Sequence, residues 1–410
     1  MRFDKYDFHP QLIKNLADQG FKKPTDIQYK SIPPILKGED VLAVAQTGTG
    51  KTAAFAIPVI ERLIHRKRSL ANFEVRCMVM VPTHELAMQV AGVFDSLLKG
   101  TGLKVLPLIG GVDQTPQINR LKKGVDIMVA TPGRMFDLSS QGYLDLKSIE
   151  ILILDEADHM LELGFYNDMR QLFRNLPKNK QTLFFSATID ENIKDLAYGL
   201  VRHAVRIHIS PKNPVSGKID HAVTYVEMDH KRFFLERIIR EHPDSKILVF
   251  VRTKVRAERV LKAMERVGLS SETIHSDKDQ KNRNSAMSNF REGINKVLIA
   301  TDVSARGVDI PNVEIVVNYD LPEIPENYVH RVGRTGRGVN RGKAVSFCSD
   351  EEREILEQIE EFLTNPIAVI NMNPEEYEKS IDFSPAATHD WKSLIDEDLD
   401  KGKKKIKKRR

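Results

Sequence analysis

Eight residues, AQTGTGKT (45–52), combine small side chains, a lysine and a hydroxyl in an order suited to holding phosphate. Small residues let backbone N–H groups approach phosphate oxygens, and a helix start adds the positive end of its dipole. Lys51 supplies charge for the terminal phosphates and Thr52 a hydroxyl for Mg2+. A second stretch, ILILDEADHM (151–160), runs four aliphatic residues into Asp155, Glu156 and Asp158. A phosphate loop needs a second strand whose terminal acid holds Mg2+, the position Asp155 takes. Glu156, one residue on, is placed to orient and deprotonate the water attacking the terminal phosphate. Alone, each stretch has a plainer explanation, a glycine-rich turn or a solvated acidic turn. Together they describe nucleotide hydrolysis.

Such groups need a frame. VLAVA (41–45) precedes the phosphate loop and the helical TAAFAIPVIERL follows it. Further aliphatic runs are CMVMVP, VLPLIG, DIMVAT, ILILDE and QTLFFSAT; a second series comprises KILVFV, SSETIH, NKVLIAT, VEIVVNYD and KAVSFCS. Helix-length segments lie between them, at 53–65, 84–99, 191–200, 254–266 and 280–292. This alternation predicts an α/β chain with two parallel sheets flanked by helices. ISPKNPVSGKID (209–220), with two prolines and a glycine, reads as an interdomain linker. The expected division is 1–208, the linker 209–220, 221–365, and a flexible tail 366–410 ending in a basic run.

The 410 residues allow two or three domains, and 41% apolar with 29% charged residues is ordinary for a globular protein. No run approaches a membrane span. MRFDKYDFHP lacks the apolar core of a signal peptide, and Cys77 and Cys348 stand alone, so a reducing cytoplasm is expected. The net charge of +5 is misleading: KGKKKIKKRR (401–410) holds eight positive charges, so the rest of the chain carries −3. That run reads as an RNA tether, a nuclear address or solvated charge.

AQTGTGKT, DEAD (155–158), SAT (186–188) and HRVGRTGR (330–337), in this order, resemble the DEAD-box family of ATP-dependent RNA helicases, nearest in texture to its bacterial RhlE-type branch. The resemblance covers roughly residues 1–365 and implies two RecA-like domains with ATP and Mg2+ as cofactors. The loop would be lined by Thr47, Gly48, Thr49, Gly50, Lys51 and Thr52. Phe3 and GFKKPTDIQ (20–28) resemble the segment that reads adenine, with Gln28 on the base edge, Phe21 stacked near it, and Thr25 and Phe3 in support. Read alone, PTDIQ is a helix start with Thr25 as N-cap.

The same resemblance implies RNA contacts from Pro82 and Thr83, Gly110 and Gly111, and Thr131, Pro132, Gly133 and Arg134. Small residues, hydroxyls and helix starts suit phosphates, which position a nucleic acid without reading its bases. His84 departs from the family's arginine, and an imidazole is the poorer phosphate partner. The second series lacks a phosphate loop and is expected to close over nucleotide bound to the first. There Arg252 and Thr301 would touch RNA and Asp309 the ribose, while Arg334 and Arg337 would neutralise the transferring phosphoryl group. Asp158, Ser186, Thr188 and His330 would couple the ATP and RNA sites. The implied activity is ATP-dependent local unwinding of short RNA duplexes, in ribosome assembly or RNA turnover, by a monomer with possible ribosomal or RNA-decay partners. An ATP-gated RNA clamp is the alternative from another class.

Overall fold

The computed structural model describes residues 2–45, 48–65, 75–188, 191–209, 215–305, 313–336 and 341–382. The chain divides into two compact units, the boundary falling between Lys212 and Asn213.

In the first unit the described strands are β1 (Val41–Ala45), β2 (Cys77–Met80), β3 (Val105–Leu108), β4 (Ile127–Ala130), β5 (Ile151–Leu154), β6 (Gln181–Ser186) and β7 (Val205–Ile209). They form one parallel sheet in the order β3-β4-β2-β5-β6-β1-β7. The aliphatic run of β5 follows from its position. Ile151 and Ile153 enter one apolar layer with Val79 and Phe185; Leu152 and Leu154 enter the other with Met80 and Phe184. Side chains alternate along a strand, so a strand covered on both faces must be apolar throughout. The covering helices include Lys51–His65, His84–Leu98, Pro132–Ser140 and Glu191–Leu200. Thr83 starts the second of these, its Oγ1 accepting the Leu86 N–H at 3.3 Å.

The strand order sorts what leaves the carboxyl edge, where ligands of such sheets bind. β6 lies between β5 and β1, so the phosphate loop, the acids and SAT emerge side by side. The other half, β3, β4 and β2, delivers Gly110–Gly111, Thr131–Arg134 and Pro82–Thr83.

The second unit repeats the architecture with β8 (Ile219–Tyr225), β9 (Ile247–Phe250), β10 (Glu272–Ile274), β11 (Val297–Ala300), β12 (Ile315–Asn318), β13 (Gly342–Cys348) and β14 (Ala368–Val369). Their order is β10-β11-β9-β12-β13-β8-β14, again parallel.

Two expected boundaries are corrected. The linker reading of 209–220 overlaps ordered strands, since Ile209 pairs with Ala45 in β7 and Ile219 opens β8. The tail does not begin at 366. The Ile370 N–H donates to the Val223 carbonyl at 2.8 Å, and helix Pro374–Asp382 docks through Tyr377 and the fully buried Ser380. Tyr377 Oη accepts the Glu227 N–H at 3.1 Å, and Arg237 Nη1 donates to Ser380 Oγ at 2.6 Å. This helix packs by one aromatic ring and hydrogen bonds, so it shows little of the apolar period that marks a helix in sequence. The basic run 401–410 lies outside the described residues. No helix among the described residues is long and apolar enough to cross a membrane.

Candidate functional site

Gly48 and Gly50 take left-handed backbone angles, φ +81° and +93°, and helix Lys51–His65 starts immediately after them. A side chain at either position would be strained. At Gly50 a Cβ would also fall 2.6 Å from Gln28 Nε2. The candidate adenine segment therefore touches the candidate phosphate loop. Gln28 Nε2 donates to the Gly50 carbonyl at 3.2 Å, while its Oε1 accepts the Thr25 N–H at 3.0 Å. A glutamine amide has two N–H donors and two lone pairs on its oxygen, so one of each remains for a ligand. Phe3 is buried and meets Phe21 edge-to-face at 5.9 Å, fixing the segment from behind. Thr47 lies outside the described residues.

Lys51 is buried, 6% exposed, and its Nζ has no hydrogen-bond partner. Asp155, 2% exposed, stands nearby at the end of β5. Burial pushes the Asp155 carboxyl up to about 7 against the pull of Lys51, and the charges of Glu156 and Asp158 add to the rise. A buried ammonium without a partner and a carboxylate short of positive charge together fit a phosphate with its cation. Asp155 and Thr52 suit Mg2+, which is commonly held by one or two protein groups plus substrate phosphates. Among the described residues no group of three His, Cys, Asp or Glu side chains could hold a metal unaided.

Glu156 takes a left-handed backbone, φ 52°, as N-cap of helix Ala157–Glu162. A non-glycine residue in that region is held against its preference, a form of strain that collects at functional sites. Asp158 turns the other way. Its Oδ2 accepts the Ala187 N–H at 3.1 Å, the Thr188 N–H at 3.2 Å and Thr188 Oγ1–H at 3.3 Å. The acids of β5 are thereby tied to the end of β6. The Ser186 hydroxyl beside them is buried without a hydrogen-bond partner.

The nucleic-acid candidates of the first unit also meet. A Cβ on Gly110 would sit 3.5 Å from His84 Nε2, and Arg134 Nη2 donates to the Val112 carbonyl at 2.7 Å. Gly111 is left-handed at φ +67°, and Pro132 opens helix Pro132–Ser140. His84 thus approaches the loop after β3, and Arg134 ties the start of helix Pro132–Ser140 to that same loop.

In the second unit Arg252 is less free than its sequence suggests. Its Nη2 donates to Glu352 Oε1 at 3.1 Å, and Glu352 also holds the fully buried Lys231 at 2.5 Å. Thr301 Oγ1 lies 3.3 Å from Ser304 Oγ, and Arg334, 3% exposed, donates from Nε to the His330 carbonyl at 3.2 Å. Arg331, which sequence reasoning passed over, is 1% exposed and pairs with both oxygens of Asp302 at 2.6 and 2.8 Å. Its signal was its place inside HRVGRTGR. Asp309 and Arg337 lie outside the described residues.

Comparison with known proteins is consistent throughout. Residues 25–196 match the family model for the DEAD/DEAH box helicase, and residues 230–339 that for the helicase conserved C-terminal domain. The chain is 39% identical over 380 residues to the ATP-dependent RNA helicase RhlB of Shewanella woodyi, covering 91% of this chain and 86% of that protein. It is 38% identical over 360 residues to CshA of Listeria monocytogenes, covering 88% and 68%. These relatives specify no RhlE-type affiliation. Among solved structures, S. cerevisiae Dbp5 bound to RNA and ADP BeF3 superposes with a TM-score of 0.81 at 30% identity, covering 90% of this chain and 95% of that one. The DEAD-box helicase Mss116 bound to ssRNA and UDP-BeF gives a TM-score of 0.82 at 28% identity, covering 93% and 82%. With both family models matched in order on two RecA-like sheets, the chain belongs to the DEAD-box family of ATP-dependent RNA helicases.

Proposed function

We propose that the protein hydrolyses ATP under the stimulus of RNA and uses the cycle to separate short RNA duplexes. The observation that carries this reading is the buried Lys51 ammonium, unpartnered between a left-handed glycine loop and the acids of β5. A γ-phosphate completes it. Backbone N–H groups of 48–52 and Lys51 hold the phosphate; Thr52 with Asp155 would hold Mg2+, which would offset charge on the phosphates. The Glu156 carboxylate takes a proton from water as its oxygen attacks the γ-phosphorus. The bond to the bridging oxygen breaks, giving ADP and phosphate. Arg334 and Arg337 are the groups assigned to the charge that develops on the phosphoryl oxygens.

The spare N–H and lone pair of Gln28 match N7 and the 6-amino group of adenine. Guanine offers acceptors at both positions, so ATP is favoured over GTP. The RNA edge of Thr83, Gly110–Gly111 and Thr131–Arg134 offers hydroxyls, backbone N–H groups and one guanidinium, which suit backbone more than bases. RNA of little sequence preference is the expected partner.

The test is an ATPase assay with and without RNA, beside strand release from a short duplex. Stimulation with strand release is expected. Stimulation without release supports an ATP-gated clamp, and no stimulation removes the helicase reading. His84→Arg should tighten RNA binding and steepen its dependence on log salt by about 0.7, one added phosphate contact on a single strand. A salt titration with unchanged slope would take position 84 off the RNA path.

A further inference from the structure

The residue after the DEAD acids is a histidine, and nothing assigned above uses it. His159 lies on helix Ala157–Glu162, three positions after Glu156. Side chains three apart on a helix share a face. His159 is 3% exposed, and neither Nδ1 nor Nε2 has a hydrogen-bond partner. Its Nδ1 lies 3.8 Å from Glu156 Oε2. That gap is too long for a hydrogen bond and about 1 Å longer than a good one. Buried polar groups nearly always have partners, so an imidazole with neither nitrogen satisfied calls for one in another state of the protein. A small shift would bring the carboxylate of the proposed base into reach of Nδ1.

A glutamate needs such help. Its long side chain has several rotatable bonds, and Glu156 must hold one oxygen within hydrogen-bonding reach of water. We propose that His159 is a positioning residue for Glu156: its imidazole donates Nδ1–H to Oε2 when nucleotide and RNA are bound, leaving Oε1 to face the attacking water. This rests on Glu156 being the base. The requirement is for a donor at one atom, and it is specific. Asparagine places an N–H where histidine has Nδ1; glutamine places it where histidine has Nε2; phenylalanine fills the volume with no donor.

The test compares His159→Phe, His159→Asn and His159→Gln in the full chain, alone and with Glu156→Gln. The expected result is that Phe lowers kcat roughly tenfold to a hundredfold, the scale of a misplaced reacting group. KM for ATP and RNA binding in the presence of a non-hydrolysable ATP analogue stay within about twofold. Asn recovers most of the rate and Gln does not, and Phe adds no further loss to Glu156→Gln because both act through one carboxylate. Wild-type kcat in the Phe variant overturns the proposal. So does equal recovery by Asn and Gln, or loss of analogue-dependent RNA binding together with kcat, which marks a merely structural role. Turnover retained by Glu156→Gln alone removes the base assignment itself; an inactive Glu156→Gln beside an active Phe variant removes only the role of His159.

Discussion

Glu156→Gln is expected to lower ATP turnover about 10²–10⁴-fold, the usual contribution of a positioned general base, while ATP-dependent RNA binding persists. The separation follows from how the acids divide their contacts. Glutamine keeps the size of the side chain and occupies the same left-handed backbone, φ 52°, so helix Ala157–Glu162 keeps its start. Asp158 still accepts the Ala187 and Thr188 N–H groups, so the link from β5 to β6 survives. Lys51 and Asp155 are untouched. Only the group that accepts the proton is lost. Single-turnover hydrolysis and RNA binding dependent on a non-hydrolysable ATP analogue, measured on one preparation, separate the two properties. Retained turnover would strip Glu156 of its role.

Gly342→Ala should disable the protein from a position that carries no chemistry. At the first residue of β13, an added Cβ would overlap Thr335 Oγ1 and the Gly336 backbone nitrogen. Neither can yield easily. Thr335 Oγ1–H is held between the carbonyls of Val313 at 2.7 Å and Glu314 at 3.0 Å, and Gly336 is itself left-handed at φ +66°. Overpacking of this kind typically costs about 1–3 kcal/mol. In a unit of this size, where 1 kcal/mol moves the midpoint by about 2–4 °C, that is a melting shift of roughly 2–12 °C. Because Arg334 directly precedes Thr335, RNA-stimulated hydrolysis should fall further than stability alone explains. Gly199→Ala is the control: it lies in helix Glu191–Leu200 with nothing within 4 Å of the new Cβ, and should be neutral or mildly stabilising. Equal melting temperatures for Gly342→Ala and wild type would show that the loop has slack.

Local chemistry explains what could be read from the chain. The helices expected at 84–99, 254–266 and 280–292 are found at His84–Leu98, Lys254–Arg266 and Gln280–Glu292. Each begins at a capping side chain, Thr83, Thr253 or Asp279, that accepts a backbone N–H. Most strands buried on both faces were legible, and the edge strands β3 and β10 were read as well. The strands β7, β8 and β14 were not. β7 and β14 have half-polar or exposed patterns, and they merged with what looked like linker and tail. Contacts between distant segments were also hidden. Nothing in PTDIQ shows that Gln28 holds Gly50, and nothing near Lys231 points to Glu352, 121 residues away. His159 looked like one more polar residue after an acidic run; its burial comes from the short helix tucked against β6 and helix Glu191–Leu200.

Leu154 of β5 faces Met80 of β2, and the Asp155 N–H continues that ladder to the Met80 carbonyl at 3.0 Å. Two residues beyond Met80 the chain reaches Pro82 and then the Thr83 cap. The acids of β5 and the Pro82–Thr83 segment proposed for RNA thus leave adjacent strands at the same height, one strand spacing of about 4.8 Å apart. A slip of one residue between these strands would turn every side chain to the wrong face, so the register has no intermediate setting. The pair behaves as a ruler: whatever tilts the end proposed to grip phosphate tilts the end proposed to face RNA.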